Sequence, residues 1–216
     1  MIDQSTMKFL SEASCHHGDE WLSDNKAQRD CARRNLMEFT LQLIASVELV
    51  DPRVANANID PRKCLARAPI SKGVGSISVR VSLSKNAAAT YFMRISPGSS
   101  YSGGGALLLP PRLVRILRQT IASHTGKWRS IVEGPLFQRY FPNGLTNGHD
   151  ISAKGYVENH DALDFFNLKN FGACRGLSDE MLLSTRLVED TVTSFAAARA
   201  LVDYINRATT RLPEPG

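Results

Sequence analysis

Two short runs in this chain repeat with the two-residue period of a β-strand, the first in strict apolar–polar alternation. Ile77, Val79, Val81 and Leu83 interleave with Ser76, Ser78, Arg80 and Ser82, and Tyr91, Met93 and Ile95 interleave with Phe92, Arg94 and Ser96. Successive strand side chains point to opposite faces, so each run gives one face to a core and turns the other away. The Lys85-Asn86 turn between them predicts antiparallel pairing. Pro97-Gly98 ends the second run; residues 99–105 read as a flexible loop, and residues 106–109 as a short third strand.

Helical patterns flank these strands. From Asp24 an apolar stripe of Leu36, Phe39, Leu43, Ile44 and Val47 predicts a helix over residues 24–50, stopped by Asp51-Pro52 and Asp60-Pro61. After Pro110-Pro111, the stripe Leu113, Ile116, Leu117 and Ile121 predicts another, with Arg112, Arg115 and Arg118 on its polar flank. Ser178 can cap a helix starting at Asp179-Glu180, and apolar positions from Leu183 to Ile205 carry it over residues 178–208. Such a helix is longer than a small domain needs, which suggests a homodimer built on its excess stripe. Residues 1–23 read as a polar arm, the stretch after residue 60 as a basic connector, and residues 125–177 as irregular, with a short strand at 155–158. The expected fold is α+β: one domain over residues 24–216, with a small antiparallel sheet flanked by helices and a long C-terminal helix.

Charge is distributed unevenly over this frame. Residues 61–132 contain no Asp or Glu, where the chain's average would place about seven, yet they carry twelve Lys and Arg. The rest holds 14 basic and 21 acidic residues, so the net charge of +5 conceals a positive middle between acidic ends. A surface for a polyanion, or for an acidic protein face, accounts for that exclusion. Four cysteines at irregular spacing, without a C-x-x-C pair, fit reduced thiols. With no basic start or apolar run at Met1 and no membrane-length apolar segment, the expected location is the cytoplasm.

The leading candidate site is the outward face of the predicted sheet and the helix after it. Arg80, Phe92 and Arg94 share that face; Lys85, Arg112, Arg115 and Arg118 extend its charge; Tyr101, Lys127, Trp128 and Arg129 add further cations and rings. Cations that neutralise phosphates, interleaved with flat side chains that stack on bases, are how single-stranded nucleic acid is held without sequence preference. The strand, strand, short strand and helix of residues 75–124, carried by Ile77-Ser-Val-Arg-Val-Ser-Leu83, Tyr91-Phe-Met-Arg-Ile95 and the run from Leu107 to Leu117, resemble the single-strand-binding units of the PUR, Whirly and PC4 families. The resemblance implies a curved antiparallel sheet followed by a helix that binds single-stranded DNA or RNA, usually as a dimer or larger assembly; no residue pattern calls for a cofactor.

The rival is a protein-interaction module, an inhibitor or adaptor, whose basic face docks on an acidic partner. The two diverge on one point: exposed Phe92 and Trp128 favour stacking on bases, and buried ones favour the interaction module. A metal-dependent nuclease stands third, resting on His149, Asp150, Glu158, His160, Asp161 and Asp164, whose spacing matches no metal motif. Cys15-His16-His17 lacks the second ligand pair of a zinc site. Gly98 and Gly103 have the glycine spacing of a phosphate-binding loop, but Gly104 and Gly105 stand where its Lys and hydroxyl should be, so nucleotide hydrolysis is not expected.

Overall fold

The computed structural model of the chain describes residues 1–16, 19–67, 75–146, 168 and 170–210. The two alternating runs form β2 (Ile77–Val81) and β3 (Thr90–Ile95), paired antiparallel with Val79 opposite Met93 and Arg80 opposite Phe92. They lie within a six-stranded antiparallel sheet completed by β1 (Leu65–Arg67), β4 (Ser100–Ala106), β5 (Leu145–Thr146) and β6 (Phe171–Leu177), in the order β1-β2-β3-β4-β6-β5. The fold is α+β, as the sequence predicts.

Three expectations for this region change. All but the first of residues 99–105 are strand and not loop: β4 runs from Ser100 between β3 and β6, and the third strand ends at Ala106, where the sequence would start it. Its glycines are needed for packing. A Cβ on Gly104 would lie 2.8 Å from the Ala198 Cβ and 3.1 Å from Val202 Cγ2, so only glycine lets the facing helix come this near. The stretch after residue 60 also departs from a plain connector, since α5 (Pro61–Cys64) leads directly into β1.

The N-terminal segment is helical too. In α1 (Gln4–Cys15) the positions Thr6, Met7, Phe9, Leu10 and Ala13 are buried, and α2 (Asp19–Asp24) follows. The arm expected over residues 1–23 is thus part of the folded body. Its helix packs on α3 (Lys26–Val50), the predicted helix of residues 24–50, whose buried positions include the whole expected stripe.

At the other end, the predicted helix is two helices. Ser178 caps α9 (Asp179–Leu183) by accepting from Met181 N, and after a break at residues 184–186 the chain continues as α10 (Leu187–Thr210). α10 crosses β3 and β4 and is flanked by α3, α6 (Pro111–Ser123), α7 (Thr125–Val132) and α8 (Pro135–Tyr140). Leu187, Phe195, Ala198, Leu201, Val202 and Ile205 are all buried there. The apolar stripe that suggested a dimer is therefore covered by the chain itself. Between residues 125 and 177, α7, α8, β5 and β6 replace much of the expected irregular segment; the strand expected at 155–158 lies outside the described residues. Among the described residues no helix is long and apolar enough to cross a membrane.

Candidate functional site on the outer sheet face

Register decides which side chains share the face turned away from α10. One cross-strand row runs Ser78, Arg94, Tyr101, Gly176, and the next runs Arg80, Phe92, Gly103, Cys174. Neither row contains a carboxylate, and three of the eight residues are glycine or serine, which leaves the longer side chains standing over a low surface. The structure thus brings together four of the sequence-predicted residues, Arg80, Phe92, Arg94 and Tyr101.

Arg80 is exposed and Arg94 half-buried. Arg94 Nη2 donates to Ser76 Oγ at 3.2 Å, while its Nε is buried with no hydrogen-bond partner among the described residues. A buried guanidinium nitrogen with no acceptor costs free energy. Tyr101 lies between these groups: burial raises the pKa of its phenol, as does the neighbouring Cys174, while hydrogen bonding and charge from Arg94 and the charge of Arg80 pull it back. The phenol therefore stays a neutral O–H donor. Two guanidiniums and one phenol, on rows that hold no carboxylate among the described residues, can accept an oxyanion, a carboxylate or a phosphate oxygen.

Aromatic stacking fares differently. Phe92 is only 5% exposed. Its ring meets the Tyr101 ring edge-on at 6.2 Å, and it lies with the Leu107 side chain over Gly172, whose missing Cβ leaves room for both. Trp128 is fully buried, against Phe171 and Tyr204. Neither ring is available to a base, which corrects their assignment as stacking residues.

The remaining predicted cations do not join the face. Lys85 is exposed in the β2–β3 turn. Arg112 and Arg115 are exposed on α6, which packs against α10 on the opposite side of the sheet. Arg118, on the same helix, donates through Nη2 to Leu168 O at 2.8 Å and so braces the chain entering β6. Lys127 is exposed on α7, and Arg129 lies 3.9 Å from Glu133, one helical turn on. The single continuous positive surface expected from residues 61–132 is accordingly divided between the sheet face and the helical side. The carboxylate gap gave no means of telling these apart, because it marks composition and not direction.

Sequence reasoning also missed a buried polar cluster. Asp51 ends α3 and caps α4 (Pro52–Asn56), accepting at 2.7 Å and 2.6 Å from Arg53 Nε and Nη2, and at 2.7 Å from the Tyr91 hydroxyl. Arg53 also pairs with Asp203 of α10. The Asp-Pro boundary at residues 51–52 was a visible signal, but only as a helix stop. His149, Asp150, Glu158, His160, Asp161 and Asp164 lie outside the described residues, as does His17. Among the described residues no three His, Cys, Asp or Glu side chains gather closely enough to hold a metal.

An α+β protein with one helix-covered sheet face and one cation-bearing face is the class defined by this geometry. Residues 72–204 match the model of a family described as conserved hypothetical protein (DUF2461), and the chain belongs to that family. No curated protein and no solved structure matches the chain.

Proposed function

We propose that the chain is a protein-interaction module that docks an acidic segment of a partner protein on its outer sheet face through Arg80, Arg94 and Tyr101. The observation that carries this reading is the burial of Phe92 beside Arg80, which is exposed, and Arg94, which is half-buried, with Trp128 buried away from this face. Charge recognition needs only the guanidiniums and the phenol, whereas base stacking needs exposed rings. Arg is suited to the task because its planar fork meets a carboxylate through two parallel hydrogen bonds. A cytoplasmic setting accords with this, since Cys15 and Cys31 are exposed thiols.

Single-stranded nucleic acid is the second reading, favoured by the half-exposed Tyr101 ring between the two cations. The first test is fluorescence anisotropy with a labelled oligo-glutamate peptide across a salt series. Arg80→Ala should weaken binding and flatten its salt dependence. Arg94→Lys retains the charge but loses the planar fork, so it should weaken binding with little change in salt dependence. Peptide binding that neither substitution alters would refute the assignment to this face.

A further inference from the structure

A second site, independent of the sheet face, lies where the N-terminal helices meet the sheet edge. A cleft of about 300 Å³ opens between α1, α2, α3, α5, β1 and β2. Leu10 and Leu36 are buried beneath it, and Met37 and Ile77 line it half-exposed. Three arginines, Arg29, Arg33 and Arg62, also line it.

The arrangement is polar at one end for a sequence reason. Leu36 and Met37 follow Arg33 by three and four residues, and Arg33 follows Arg29 by four, so they form one stripe of α3 with its cations on the N-terminal side and its apolar groups one to two turns further on. Arg62 is brought to the same cleft by α5, whose first turn is fixed by Asp60 accepting from Arg62 N at 3.0 Å. Arg29 is partly engaged, with Nε 3.6 Å from Asp30 and Nη1 donating to Leu22 O at 3.5 Å. Arg33 and Arg62 are exposed, and neither makes an ion pair among the described residues.

We infer that this cleft binds a single-chain amphipathic carboxylate, its head held by Arg33 and Arg62 and its tail lying against Leu36, Met37 and Ile77. A neutral apolar guest would gain no charge-assisted hydrogen bond from the two guanidiniums, and a small inorganic anion would leave the apolar stripe wet. The volume lies at the low end of small-molecule sites, roughly 300–1,000 Å³, which suits one acyl chain.

The experiment is calorimetric titration of the full chain with hexanoate, octanoate, decanoate and decanol, joined to methyl NMR of methionine-labelled protein with Met37→Leu to assign the Met37 signal. Affinity should rise roughly 4-fold per added methylene. Decanoate should bind about 10-fold more tightly than decanol and shift the Met37 methyl. Arg33→Glu combined with Arg62→Glu, both at exposed positions, should remove that preference while circular dichroism and the melting temperature hold. Decanol binding as tightly as decanoate, saturation without a Met37 shift, or no binding of decanoate at millimolar concentration would each overturn the inference; the last is the result expected if the cleft instead receives a protein segment.

Discussion

The Tyr91 hydroxyl donates to Asp51 Oδ2 at 2.7 Å, joining the middle of the sheet to the point where α3 gives way to α4. Asp51 is almost fully buried, and its carboxylate is met on the other side by the Arg53 guanidinium. Tyr91 in turn stacks on Phe195 of α10, with ring centroids 5.2 Å apart. One carboxylate thus coordinates strand, helix end and central helix. Asp51→Ala should lower stability by about 2–3 kcal/mol, below the full figure for a buried pair because Arg53 is a third exposed. Tyr91→Phe removes one bond to a charged acceptor and should lower it by about 1.5 kcal/mol. Urea midpoints of the two variants check the order.

The same carboxylate predicts a pH dependence. Burial pushes the Asp51 pKa up, but the hydrogen bonds from Arg53 and Tyr91, with the Arg53 charge, outweigh it and hold the group below its ordinary value of 3.8. Unfolded chains therefore bind this proton first as acid is added, and stability falls with pH. Its contribution is complete well above pH 3.8 and disappears as pH drops towards the depressed folded value. The stability difference between the native chain and Asp51→Asn, followed by denaturant titration from neutral pH to below pH 3, should shrink through that window.

Close approach of α10 to β4 makes Gly104 intolerant of a side chain. With Ala198 Cβ, Val202 Cγ2 and Tyr91 Cδ1 between 2.8 and 3.3 Å from a Cβ placed there, Gly104→Val should lower stability by about 2–3 kcal/mol through overpacking. Gly98→Ala has open space around it but a φ of +73°, so it should lower stability by about 1 kcal/mol through backbone strain alone. Thermal melts of the two variants separate crowding from strain.

Phe92 shows how far alternation reads and where it stops. Its position on the outward face was legible from Tyr91-Phe-Met-Arg-Ile95, and the register bears it out. Its burial was not legible, because Leu107 and the Tyr101 edge cover it from other parts of the chain. Phe92→Ala should consequently lower stability by about 3 kcal/mol, measured by denaturant unfolding, instead of acting selectively on ligand affinity.

Elements whose period was set by their own core contacts were readable: Val79, Val81, Met93 and Ile95 in the sheet, and Leu36, Phe39 and Leu43 in α3. β4 was not, since Ser, Tyr and three consecutive glycines carry no hydrophobic period, and their strand geometry comes from neighbours on both sides and a helix pressed against them. In α1 the spacing of Met7, Phe9, Leu10 and Ala13 was a usable signal, diluted by exposed polar residues between them. Arg80 and Arg94 could be assigned to one face from strand period alone. Their separation from Arg112 and Arg115 depended on which side of the sheet α6 would take, and no residue in α6 encodes that locally.

The most direct test of the sheet-face reading compares three polyanions of equal charge under one buffer: an oligo-glutamate peptide, oligo-dT, and an abasic phosphodiester of the same length. With Phe92 and Trp128 buried, bases should add nothing, so oligo-dT and the abasic strand should bind alike, and the peptide should bind more tightly than either and lose that advantage in Arg94→Lys. Stacking contributes about 1–3 kcal/mol per base where it occurs. Oligo-dT binding tenfold or more above the abasic strand would contradict the account and return the face to single-stranded nucleic acid, with Tyr101 as its stacking platform.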